Sequence, residues 1–263
     1  MNFTVEPYGG AQDGKDVSHL HGGVKGFDKV VWDAKTIREQ ESVSLVLTYL
    51  SKDGEEGYPG NLNATVIYTL DAKNHLTIFY EAITDKPTPV NLSHHSYFNL
   101  AGAKSGDILG HHLMINAHGY MPVDATLIPT GTLESVEGTP MDFRSLQTIG
   151  SRIAGVPGGY DHNYVLNREG GALELAARVE EHRTGRTLEI WTTEPGIQFY
   201  SGNFLDGSLS GKGGVRYAKH AGFCLEPQHY PDSPNRPDWP STILRPEGKY
   251  RTQTVFQFGA KDQ

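Results

Sequence analysis

An all-β fold, a large antiparallel β-sandwich, is what this sequence predicts, and three observations carry the prediction. Its apolar residues alternate with period two rather than 3.6. Its 263 residues include 31 glycines and 15 prolines, too many turn formers for a helical bundle. Its strand-like runs are short, and turn signals separate them.

The elements follow in chain order. In Val43 to Tyr49 the residues Val43, Leu45, Leu47 and Tyr49 fall on one face of a strand. Thr65 to Leu70, Leu76 to Ile83 and Leu188 to Thr192 are further runs rich in β-branched and aromatic residues. Asp53-Gly54, Asp71 to Asn74, Gly170-Gly171, Gly185, Asp206-Gly207 and Gly213-Gly214 mark the turns. Ala172 to His182 contains good helix formers. Leu173, Leu175, Ala177 and Val179 nevertheless alternate, and the Thr-Gly after it leads into another strand-like run, so a strand and hairpin are expected. The proline-rich stretch from Tyr230 to Pro246 carries Trp239, Ile243 and Leu244, which give a surface excursion something to bury. No repeat or linker interrupts the chain, so 1–263 is expected to form a single domain.

Composition narrows the function classes. A net charge of -8 argues against a surface for nucleic acid or anionic lipid. With one cysteine, neither a disulfide framework nor a cysteine-based zinc site is expected. There is no apolar run of membrane-spanning length and no phosphate-binding GxxxxGK[ST] loop. The first residues, MNFTVEPYGGAQDG, lack the basic head and apolar stretch of a secretion signal, so a cytoplasmic location is expected.

Twelve histidines are many for this length. His19 and His21 form an HxH, which on a strand points two imidazoles to one side, but no acidic residue follows until Asp28. The adjacent pairs His94-His95 and His111-His112 point to opposite faces. Metal ligation is therefore not expected, and most of these rings read as structural. Three surroundings are richer: His95 among polar and aromatic residues, His162 beside Asp161, and Glu226 after the apolar run Phe223-Cys224-Leu225. Carboxylates, imidazoles, amides and aromatic faces suit a polar, hydroxyl-rich ligand. Cys224, two residues before Glu226, reads as a packed thiol on the same strand face.

Eight segments, taken together, resemble the galactose mutarotase (aldose 1-epimerase) family. They are LHGGVKGFDKVVW from Leu20, DGEEGYPG from Asp53, PVNLSHHSYFNLAG from Pro89, MPVDATLIPTG from Met121, YDHNYVL from Tyr160, TTEPGIQFYSGNFLDG from Thr192, KHAGFCLEPQHYPDSPN from Lys219 and LRPEGKY from Leu244. They occur in family order and cover essentially everything after residue 18. The resemblance implies a galactose mutarotase-like supersandwich and an isomerase that exchanges the α and β anomers of free aldoses such as glucose and galactose. It places the proton donor on His95 and the proton acceptor on Glu226. It places sugar contacts on His21, Asp161 and Gln198, with Tyr97 near the ring. No cofactor or metal is implied, and the partner is a small sugar bound by a monomer or weak homodimer. Family members carry strands before LHGG ending in an Asn-Arg-Ile segment, and on this resemblance the chain is expected to be short of them. His94 stands where the family usually has Asn.

Two rival readings remain at this stage. One is a non-catalytic sugar-binding or regulatory protein of the same fold. The other is a hexose-6-phosphate 1-epimerase, which would need basic residues for the phosphate.

Overall fold

The computed structural model describes residues 4–9 and 18–261. The chain divides into two compact units. The first comprises Met1–Leu92, Val123–Thr130 and His229–Gln253, and the second Ser93–Pro122, Gly131–Gln228 and Thr254–Gln263. Strands are numbered in chain order.

The first unit is built on an antiparallel ribbon of β1 (Asp33–Arg38), β2 (Ser42–Ser51), β3 (Leu62–Asp71) and β4 (His75–Thr84), each paired with the next. The β3–β4 hairpin closes where the sequence signals it. The Asp71 carboxylate accepts the backbone N–H groups of Lys73 (2.8 Å) and His75 (2.9 Å), while Asn74 takes a left-handed φ of 62°. One face of the ribbon is apolar by strict alternation. Ala64, Val66, Tyr80 and Ala82 are buried on it, and register places Leu45, Leu47 and Tyr49 of β2 alongside. Burial fades along that face, since Val43 and Leu45 remain 40% and 39% exposed. Beyond β4 lies the short β5 (Thr88–Pro89).

The second unit holds most of the large, fully buried side chains. Its strands are β6 (His112–Ile115), β7 (Ala117–Tyr120), β8 (Glu134–Ser135), β9 (Gln147–Thr148), β10 (Asp161–Leu166), β11 (Glu174–Glu180), β12 (Arg186–Thr192), β13 (Gly196–Tyr200) and β14 (Cys224–Gln228). Five of them form an antiparallel sheet in the order β14-β13-β10-β7-β8. Within the stretch from Ala172 to His182, Glu174–Glu180 form a strand, β11, whose register shifts between Leu175 and Ala177. Gly185, at φ 72°, turns it into β12, with the Glu181 N–H donating to the Arg186 carbonyl at 2.9 Å. Alternation outweighs helix propensity there because Ala177 and Val179 reach the core at 0% exposure.

The proline-rich excursion belongs to the first unit. It buries Trp239 against Tyr230, with Arg236 over the indole, and ends in β15 (Ile243–Leu244), which pairs with β5. The last strand, β16 (Tyr250–Ala260), starts in the first unit. Its later residues, Thr254 to Ala260, pair with β12 in the second. Among the described residues no helix is long and apolar enough to cross a membrane.

Candidate active site

Side chains at alternate positions of a strand share a face, and antiparallel pairing sets neighbours opposite one another. In the second unit that arithmetic assembles a polar face. Cys224 of β14 is paired with Tyr200 of β13, and Tyr200 with Asp161 of β10; one step along, Glu226 is paired with Gln198, and Gln198 with Asn163. The intervening residues make the opposite face. There Leu225, Phe199 and Ile197 are completely buried, and Phe199 meets Tyr160 and Phe143 at ring separations of 5.1 and 5.6 Å.

His95 arrives from a different part of the chain. The segment around it runs beside β14. Phe98 and Phe223 exchange backbone hydrogen bonds of 2.8 and 3.0 Å, and the Ser93 hydroxyl donates to the Pro227 carbonyl at 2.8 Å. Alternation then separates the two adjacent histidines. His94 turns inward, edge-on to Phe256 at 4.7 Å, and burial pushes its pKa down to about 4, with the neighbouring His95 adding to the effect. His95 turns outward over the polar face. Its Nε2 lies 3.7 Å from Glu226 Oε1, and its Nδ1 lies 3.4 Å from the Cys224 thiol. Tyr97 stacks on the imidazole (5.2 Å, 28°), and Tyr200 meets it edge-on.

The carboxylates are held differently. Asp161 accepts a 2.7 Å hydrogen bond from Gln198 Nε2. Glu226 is only 13% exposed, and its pKa is pushed up to about 8, first by burial and second by the negative charge of Asp161. The same two causes, with Glu226 added, drive the Cys224 thiol far above its ordinary value, so it stays protonated. Gln198 Oε1 is buried and makes no hydrogen bond among the described residues.

Five of the six residues expected from the sequence, His95, Tyr97, Asp161, Gln198 and Glu226, come together on this one unit. His21 lies in the first unit, on an exposed turn, with a left-handed φ of 55°. Tyr200 and the contact between Cys224 and His95 were not anticipated. Tyr200 sits two residues after Gln198, so the strand period carried the signal for it. His111 accepts the Leu100 N–H at 3.0 Å, and His112 stacks on His182 at 3.9 Å.

Acid-base chemistry needs a carboxyl whose pKa lies near neutrality and an imidazole beside it, and this face sets the two together next to a row of hydrogen-bonding groups. The aldose 1-epimerase family profile matches residues 3–257. Rat galactose mutarotase is 48% identical over 245 residues, covering 93% of this chain and 70% of the rat protein. The aldose 1-epimerase of Escherichia coli K12 is 43% identical over 252 residues, covering 93% and 71%. The crystal structure of galactose 1-epimerase from Lactobacillus acidophilus superposes with a TM-score of 0.81 at 30% identity, over 93% of this chain and 70% of that one. The chain therefore belongs to the aldose 1-epimerase family, and it is an isomerase.

Proposed function

We propose that this enzyme exchanges the anomers of free aldoses, galactose and glucose being its substrates, with Glu226 as base and His95 as acid. The observation that carries the reading is the pairing itself, a buried carboxylate oxygen 3.7 Å from an exposed imidazole nitrogen. The anomeric hydroxyl and the ring oxygen are bonded to one carbon. An acid and a base that serve both must therefore lie a few ångströms apart, as these do.

In the forward step Glu226 takes the proton of the anomeric hydroxyl, and the electrons of that O–H bond form the aldehyde. The bond from the anomeric carbon to the ring oxygen breaks, and His95 delivers a proton to that oxygen. Rotation about the bond next to the anomeric carbon presents the other face of the aldehyde. The same two groups, with roles exchanged, then close the ring. Both protons are returned, so the cycle is balanced without an external reactant. Asp161 and Gln198 would hold sugar hydroxyls, and Tyr97 would cover the ring. None of the residues in the two paired rows is lysine or arginine, which favours a neutral sugar over a phosphorylated one.

Polarimetry on freshly dissolved α-galactose tests the reading. A protein-dependent rate is expected, with Glu226→Gln and His95→Asn each lowering it by about 10²–10⁴-fold. A folded wild-type protein that leaves the spontaneous rate unchanged would refute it.

A further inference from the structure

We propose that His95, Cys224 and Glu226 form an inhibitory site for a thiophilic divalent cation, of which zinc is the representative, which occupies the acid and base of the sugar site as its ligands. Among the described residues this is the one group of three side chains whose ligand atoms converge, all within 4.8 Å of one another. Its chemistry is mixed: one imidazole, one thiol, one carboxylate. Zinc accepts that combination, at bond lengths of roughly 2.0–2.3 Å that separate tetrahedral ligands by about 3.5 Å. Closing from the observed spacing needs a shift of about an ångström, and the side chain of His95, 39% exposed, has room to make it.

The surroundings favour a cation. Asp161 lies close enough to oppose the ionisation of both Cys224 and Glu226. A divalent ion relieves that repulsion and satisfies the thiolate and carboxylate charges together. Binding is a proton exchange with no change of oxidation state. The thiol gives up its proton as the metal–sulfur bond forms, and a protonated Glu226 releases a second. His95 contributes the lone pair of a neutral ring nitrogen. Three protein ligands leave a fourth position for water. Magnesium and calcium, which take oxygen ligands, should not compete.

The effect on rate rests on the acid and base assignment above; the binding does not. Cadmium serves as the probe, because its thiolate charge-transfer band can arise from Cys224 alone, the chain's one cysteine. Wild-type protein titrated with cadmium in a thiol-free buffer should develop that band at one ion per chain, and galactose should weaken its formation. Zinc should then lower the anomer-exchange rate at least tenfold, with recovery on adding a chelator, whereas magnesium should not. Cys224→Ser should abolish the band, and Glu226→Gln should weaken cadmium binding at least tenfold. No band in folded wild-type protein, or a band that saturating galactose and Glu226→Gln both leave unchanged, would overturn the site. A normal band in a protein without any anomer exchange would refute the functional reading and leave the metal site standing.

Discussion

On β13, Ile197 and Phe199 are completely buried, whereas Gln198 and Tyr200, one residue further on in each case, point the other way. The same contrast runs through β14, where Leu225 lies on the apolar face and Cys224 and Glu226 turn toward His95. The backbone treats both faces alike, so the difference is one of side-chain chemistry. The apolar face packs aromatic rings against each other. The polar face gathers two carboxyls with only amides, a thiol and aromatic hydroxyls on the strands around them, and one of those carboxyls is left with a pKa of about 8. One side of the sheet is arranged to fold, and the other carries a charge that folding resists.

The contrast is broken most sharply at Glu226. Replacing it with Gln should cost the anomer-exchange rate about 10²–10⁴-fold while raising thermal stability. A carboxyl whose pKa is higher folded than unfolded favours the native state while protonated. That contribution is complete below the ordinary value of 4.5 and is lost as pH rises through about 8. Calorimetry at pH 6 and pH 9 should therefore show Glu226→Gln gaining most over wild type at the higher pH. Equal gains at both would mean that burial does not oppose the charge.

On the opposite face the outcome should invert. Phe199→Ala removes a ring packed on Tyr160 and Phe143, and denaturant titration should show a loss of about 3–5 kcal/mol. The fraction that remains folded should keep its turnover number. A smaller effect belongs to Asp161→Asn. Asp161 raises the pKa of Glu226, so neutralising it should move the acid limb of the kcat/KM profile downward from about 8. An unmoved limb would leave desolvation as the only cause. The smallest change is Tyr200→Phe, which removes the hydroxyl that accepts the Phe204 N–H at 2.8 Å. A loss of about 0.5–1.5 kcal/mol in stability is expected, readable as a shifted denaturant midpoint.

How far the sequence could be read depends on the range of the interaction. Alternation is local, so β2, β3, β4 and β12 were legible, and a strand could be expected within Ala172 to His182 from the alternation of Leu173, Leu175, Ala177 and Val179 and the Thr-Gly after it. The motifs were enough to nominate the five site residues of the second unit. Pairing register is not local. That Gln198 stands opposite Glu226 and Asn163 follows from two turns and their lengths, which no single segment encodes. The meeting of His95 with Cys224, 129 residues apart, depends on the Phe98–Phe223 bridge that sets one segment beside the other. The exposure of Val43 and Leu45 was likewise out of reach, since a period shows which residues share a face but not what covers it.

Asp161, Gln198 and Glu226 stand on three consecutive strands joined by backbone hydrogen bonds. Gln198 and Glu226 are thus one inter-strand repeat apart, about 4.8 Å, and Asp161 is set two residues along the next strand, a ruler that side-chain identity does not stretch. Loops at the strand ends can be rewritten while that gauge keeps these three side chains in place.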